Sequence, residues 1–275
     1  MNSLVIQWYN QKVYSPETIN KRIAFVSRNM NYPFPLYGRE EEKLEKYANN
    51  NNISMSELKS MRNILKIQRD ICSGHRLKTN LTLIQNNFRK LVSKSPDDPS
   101  HGKITTFIKQ ARVALPSLIK IIKNMPEFSE LDPVNTRILF IMQEKMNTAN
   151  VQIHEKAVAF EELLAQYLTK LDIPFLTEKN LRLEDYSVTP DILFERPIIL
   201  KVGDQSHVIN WIDAKNYILI KVSFIMKSLA KQAAKYYDKF GSGAFVFHLG
   251  VDASITIPNV VILDGSYLDT VKTLP

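Results

Sequence analysis

Thr189-Pro190-Asp191 opens a run that continues through Ile192-Leu193-Phe194 and Ile198-Ile199-Leu200, breaks at Val202-Gly203-Asp204-Gln205, and returns through Val208-Ile209 to Trp211-Ile212-Asp213-Ala214-Lys215. The apolar residues on both sides of the break are β-branched, aromatic or aliphatic and are bounded by Pro and Gly-Asp turn signals, so both stretches read as strands of one long hairpin. Opposing residues in an antiparallel hairpin have numbers whose mean lies at the turn. The mean of 191 and 213 is 202, beside Gly203-Asp204, which sets Asp191 and Asp213 side by side. Side chains alternate faces along a strand, so Asp213 and Lys215 project together while Ala214 points away. Pro197 cannot donate to a ladder, and it predicts an edge or bulge near Arg196-Pro197 that shifts the register by a residue or so.

Two carboxylates and an amine on one patch suit Mg2+ (or Mn2+), which takes oxygen ligands and keeps several waters. The carbonyl of Ala214 is a further candidate oxygen. Upstream, residues 152–171 carry Val158, Leu163, Leu164, Tyr167 and Leu168 at helical spacing around Glu161 and Glu162. The flanking pattern turns Glu161 toward the apolar side and Glu162 toward solvent, with Glu162 the alternative. Downstream, a helix over 222–240 places Gln232 and Tyr236 one turn apart on one face, and Gly241-Ser242-Gly243 stops it. Tyr236 also reads as a simple core aromatic. Two short apolar runs, Ala244 to Leu249 and Asn259 to Leu263, have strand length.

The order of helix Glu, Pro-Asp, Asp-x-Lys and Gln-x-x-x-Tyr resembles the PD-(D/E)xK nuclease superfamily. Thr189-Pro190-Asp191, Trp211 to Lys215 and Tyr236 to Gly243 more narrowly resemble the TPD-motif family of codanin-interacting nucleases. The resemblance covers the last 120 or so residues well and the first 150 weakly. It implies an α+β or α/β restriction-endonuclease-like core, a mixed sheet flanked by helices. It also implies metal-binding acids at Asp191 and Asp213, the motif lysine at Lys215, a helix acid at Glu161 and the trailing motif at Gln232 and Tyr236. A codanin-like protein partner is a further implication. Asp213 stands where close relatives commonly carry Glu, a departure that affects metal geometry more than activity. The expected reaction is Mg2+-dependent phosphodiester hydrolysis on nucleic acid, DNA in preference to RNA, by a structure-selective endonuclease. The competing expectation is an adaptor that keeps the nuclease fold as a scaffold.

The 275 residues carry a formal net charge of +8. Residues 1–150 hold 23 Lys and Arg against 13 Asp and Glu, whereas residues 151–275 hold 13 against 15. The basic half suits phosphate-backbone contacts or a soluble basic surface equally. Two domains are expected: a basic helical region over 1–150 and a nuclease-like domain over 151–275. In the first, Ser15-Pro16-Glu17 starts a helix, Tyr32 to Gly38 is a loop, Arg39 to Tyr47 is a charged helix, and Asn49 to Asn52 is a linker. Ser54-x-x-Glu57 is a capping box for a helix to about Ile71, on which Lys59, Arg62, Lys66 and Arg69 form a basic stripe and candidate nucleic-acid contacts. Ser93 to Gly102 is a loop. Ile104 to Val113 and Pro116 to Met125 outline a helix-turn-helix, and a helix to Met146 precedes a boundary at Asn147–Asn150.

The lone Cys72 excludes an internal disulfide and reads as a small core residue. The five histidines (His75, His101, His154, His207 and His248) lack zinc-ligand spacing. No run has the length of a membrane span, and Met1 to Gln7 lacks the charged start of a secretory signal, so nucleus and cytoplasm are the expected locations.

Overall fold

The computed structural model describes residues 4–93 and 103–271, leaving all of the expected Ser93–Gly102 loop except Ser93 outside the described residues. In chain order it contains β1 (Val5–Trp8), β2 (Val13–Tyr14), α1 (Pro16–Asn29), α2 (Arg39–Asn51), α3 (Met55–Thr79), α4 (Leu81–Val92), α5 (Lys103–Ala111) and α6 (Leu115–Lys123). A 3-10 turn over Pro126–Glu130 follows, then α7 (Pro133–Lys170), β3 (Phe175–Thr177), α8 (Glu178–Leu183), β4 (Ile192–Val202) and β5 (Gln205–Lys215). The chain closes with α9 (Ser223–Phe240), β6 (Gly243–Phe247), β7 (Val251–Asp252), β8 (Val260–Asp264) and α10 (Leu268–Val271). Two units divide these elements.

The sheet unit takes the described parts of Met1–Phe25, Ser54–Met61 and Ile153–Pro275. Its mixed sheet runs β1-β4-β5-β6-β8, with β3 also paired to β4. β4 and β5 are antiparallel, while β5, β6 and β8 are parallel, with α9 forming the crossover from β5 to β6 and the segment that carries β7 the one from β6 to β8. The long β4 offers one edge to two partners: β3 pairs antiparallel with Ile192 to Phe194, and β1 pairs parallel with Ile199 to Val202. Between these partners lies an irregularity, from Leu193 to Ile198, where Pro197 has no N–H for a ladder.

That irregularity sets the site. Near the tip Val202 pairs with Gln205 and Ile198 with Ile209, a register that would bring Asp213 opposite residue 194. Beyond the bulge Ile192 pairs with Ile212, and one step further Asp191 comes level with Asp213. The offset is three residues, larger than the single residue that Pro197 alone suggests.

One face of the sheet shares a core with α7: Ile192, Ile198, Ile209, Ile212, Ala214 and Val246 are buried with Phe160, Leu163, Leu164 and Leu168. The other face receives α9, whose Tyr236 ring meets the fully buried Trp211 edge to face at 4.8 Å. Gly243 is required here, because a Cβ at that position would lie 2.1 Å from the Trp211 ring.

The helical unit comprises Val26–Ile53 and Arg62–Gln152. Its core gathers Phe34, Ile84, Phe88, Ile104, Phe107, Ile108, Leu115, Leu118, Ile122 and Leu139. The expected α5-turn-α6 outline is present, and Arg112 in the turn takes a positive φ of 51°.

Four sequence expectations are corrected. The first 150 residues are not helical throughout: β1 joins the large sheet, with Ile6 and Trp8 buried and Val5 and Gln7 outward, a period of two over too few residues to stand out. Asn49–Asn52 is no linker, because Asn49, Asn50 and Asn51 complete α2 and Asn52 caps it with a left-handed backbone that asparagine tolerates. The boundary expected at 147–150 is no break in the helix, because Asn and Thr weaken a helix without stopping it: α7 runs unbroken for 38 residues, and the two units divide within it, between Gln152 and Ile153. Cys72 lies exposed on α3 instead of in a core.

Candidate active site

β5 ends at the site. Asp213 is 3% exposed, and its Oδ2 is held by Gln232 Nε2 at 2.9 Å and by the Tyr236 hydroxyl at 2.8 Å. Gln232 Nε2 also donates to the Tyr236 oxygen at 2.8 Å, and that hydroxyl lies 3.2 Å from the Thr189 carbonyl. One turn of α9 thus locks one carboxylate oxygen and the backbone of the Thr-Pro-Asp segment together. Asp213 Oδ1 is buried, and the polar partner shown against it is the Lys215 ammonium, an ion pair. That single ammonium meets the charge that burial makes costly, but it leaves one cation for the two neighbouring acids, Asp213 and Asp191.

Asp191 stands beside it, its Oδ2 accepting the Ala214 N–H at 2.7 Å. Burial, then the charge of Asp213, push its carboxyl up to about 8, against the opposing effect of that N–H bond. Two acids this close resist joint ionisation, so one proton or one cation settles the pair. Glu161 is also raised, by burial first and then by Glu178 and Asp213. It is partly buried on α7 while Glu162 is exposed, so the helix turns Glu161 toward the acids and Glu162 to solvent.

Glu161 comes from the face opposite α9, since Ile212 and Ala214 pack with α7 whereas Trp211 and Asp213 contact Tyr236. Correspondingly, among the described residues no three His, Cys, Asp or Glu side chains converge tightly enough to hold a metal ion. What the structure brings together is a two-carboxylate pair with a lysine, and Glu161 within electrostatic reach.

Sequence reasoning missed Glu178. It starts α8, accepts the Thr189 hydroxyl at 3.2 Å, and adds a negative charge that raises Glu161. The signal was weak: Thr177-x-x-Asn180 is a capping box, found on many helices that have no active site. His248 bonds Asn216 at 2.9 Å, pairs with Asp269 at 2.9 Å and stacks on Phe160 at 4.3 Å, contacts that pack it against α7 without bringing it to the acids.

The basic stripe on α3 does not hold as a set. Arg62 is 2% exposed and spends its guanidinium on Glu40 at 2.7 and 3.2 Å and on the Phe34 carbonyl at 2.7 Å. Its expected phosphate contact is therefore replaced by a structural ion pair inside the helical unit. Lys66 pairs with Asp70 at 2.7 Å, and Arg69 donates to the Ser27 carbonyl at 3.2 Å. Lys59 is exposed and belongs to the segment that counts with the sheet unit.

The fold and site define a mixed α/β protein with a paired-acid and lysine centre at the end of a central strand. The family model described as "Protein of unknown function TPD sequence-motif" matches residues 137–266, and the chain belongs to the TPD sequence-motif family. An uncharacterised protein of Acanthamoeba polyphaga mimivirus is 38% identical over 260 residues, 94% of this chain and 94% of the relative. The CDAN1-interacting nuclease 1 of Xenopus laevis is 32% identical over 123 residues, covering 43% of this chain and 39% of the relative. That of Homo sapiens is 30% identical over 90 residues, covering 33% and 30%. The matches to these nucleases thus span well under half of their length. No solved structure matches the chain.

Proposed function

We propose that the chain is a metal-dependent nuclease of the PD-(D/E)xK type, hydrolysing phosphodiester bonds of nucleic acid, with DNA as the preferred substrate and structure-selective endonucleolytic cleavage as the mode. The observation that carries this reading is the buried pair of acids that share one cation: Asp213, whose Oδ1 meets the Lys215 ammonium, and beside it Asp191, whose carboxyl is raised to about 8. The relatives named as nucleases support it.

Asp191 and Asp213 would hold Mg2+ or Mn2+, with the Ala214 carbonyl as a further oxygen and Glu161 as a direct or outer ligand; two carboxylates plus waters suffice for Mg2+. When bound, the cation supplies Lewis-acid polarisation of the phosphodiester and lowers the pKa of a water. Gln232 and Tyr236 fix Asp213 Oδ2, which keeps Oδ1 turned toward Lys215. Lys215 positions the attacking water or steadies charge developing on the phosphate. Burial of Asp213 keeps bulk water from screening that charge. Nuclear and cytoplasmic location belongs to the same reading.

The second reading, an adaptor for a codanin-like partner, is favoured by the CDAN1-interacting designation of the relatives. The test is cleavage of labelled single-stranded, duplex, flap and junction substrates with Mg2+ or with chelator. Cleavage only with Mg2+ supports the nuclease; no cleavage of any substrate supports the adaptor.

A further inference from the structure

The helical unit contains a cavity of about 860 Å³ lined by residues from the loop after α1, from α3 and from α5 with its turn. Arg69, Arg76, Lys109 and Arg112 contribute four cations to its wall, and no Asp or Glu lines it. Tyr32 adds an aromatic ring, with its hydroxyl buried beside Ser73 and Asp70, and Asn31, Ser73, Thr106 and Gln110 supply neutral polar groups.

Arg62 and Lys66 on α3 are neutralised by Glu40 and Asp70, whereas Arg76, Lys109 and Arg112 are exposed and have no acidic partner among the described residues. Arg69 is held in place by the Ser27 carbonyl, and its guanidinium lies 5.8 Å from the Tyr32 ring centroid. Four like charges around one concavity make its potential positive, which favours entry of an anion. The size suits a nucleotide, since small-molecule sites commonly span about 300–1,000 Å³. Guanidinium forks match phosphate oxygens, and an aromatic ring offers a face to a base.

We propose that this cavity binds the phosphate groups of a nucleic-acid strand, an anion site in addition to the cation site of the paired acids. It deepens the nuclease reading by naming a substrate contact, and its partner is a polyphosphate strand in which several adjacent phosphates reach several cations at once. A free nucleotide offers the same chemistry with a single phosphate ester, and the test separates the two.

The full-length chain is titrated into a fluorescently labelled single-stranded oligonucleotide in chelator, so that no cleavage intervenes, over a range of salt concentrations. The comparison is with a triple variant, Arg76→Ala, Lys109→Ala and Arg112→Asn; Asn is chosen because it tolerates the positive φ of 51° at that position. Each phosphate neutralised contributes about 0.7 to the slope of log affinity against log salt on a single strand, so three lost contacts lower the slope by about 2. The triple variant is expected to bind tenfold or more weakly, with that flatter slope. A charge-preserving variant, Arg76→Lys, Lys109→Arg and Arg112→Lys, is expected to keep the slope. Nucleoside monophosphate at millimolar concentration is expected to leave the oligonucleotide bound. Its full displacement of the strand at micromolar concentration would overturn the strand assignment in favour of a free nucleotide. An unchanged affinity and slope in the triple variant would overturn the site. Because binding is read without metal, a protein that binds strands through this cavity yet never cleaves them sinks the nuclease reading while leaving this one standing.

Discussion

Arg62 in the helical unit and Asp213 in the sheet unit are almost equally buried, 2% and 3% exposed, yet they are treated in opposite ways. Arg62 meets three acceptors: two oxygens of Glu40 and the Phe34 carbonyl. Asp213 has two donors on one oxygen and the Lys215 ammonium on the other, but a second acid, Asp191, stands beside that one cation. A buried charge with its own counter-charge belongs to the scaffold. A buried charge whose one cation is shared with a like charge belongs to chemistry. Composition alone pointed the other way, toward the arginine in the basic half.

The contrast predicts opposite mutational outcomes. The largest effect is expected at Asp213. Asp213→Asn removes a charged ligand, and loss of metal-assisted stabilisation is worth several kcal/mol, so cleavage should fall by roughly a thousandfold or more. The metal-free fold should lose far less stability than it does with Arg62→Ala, since the substitution breaks the ion pair with Lys215 but also removes repulsion with Asp191. Single-turnover cleavage and thermal melts on the same preparation check both halves; a variant that melts far below wild type would place Asp213 with Arg62 among scaffold residues.

Arg62→Ala comes next, with the opposite signature. Removing one partner of a buried pair typically costs about 3–5 kcal/mol, because Glu40 is left charged and unpaired. Denaturant unfolding should report that loss, while cleavage at low temperature, where the chain stays folded, should remain close to wild type. A stable variant that fails only in binding nucleic acid would restore the phosphate role assigned from sequence.

A smaller effect concerns pH. The Asp191 carboxyl is raised from an ordinary 3.8 to about 8, mainly by burial and then by Asp213. Between those values the folded state holds a proton that the unfolded state has released, so this group's contribution is complete at acid pH and is lost as pH rises toward 8. In chelator, Asp191→Asn should therefore gain melting temperature relative to wild type between pH 5 and pH 8. A constant difference across that range would mean that the two acids are not electrostatically linked.

The same contrast explains how much was legible in the sequence. Strand alternation and the Gly203-Asp204 turn determine the hairpin, and the alternation places Asp213 with Lys215. The Pro197 bulge was readable as a disturbance, but its three-residue offset was not, and neither was the pairing of β1 and β3 along one edge of β4, which is long-range and not encoded in local pattern. Gln232 and Tyr236 were legible from their four-residue spacing; that both grip Asp213 Oδ2 was not. Arg62 misled because a helical stripe gives an angle around the axis without saying what packs there, and Glu40 lies 22 residues away in sequence. The cavity cations Arg76, Lys109 and Arg112 belong to two different segments and share no motif.

The central claim, that Asp191 and Asp213 together form a cation site, is tested most directly by calorimetric titration of Mn2+ into the wild-type chain and into Asp191→Asn at pH 7, in two buffers of different ionisation enthalpy. The account predicts saturable binding to the wild type with release of about one proton, because a carboxyl held near 8 must give up its proton to a metal, and loss of both signals in the variant. Binding of equal strength in wild type and variant, or none in either, would contradict it.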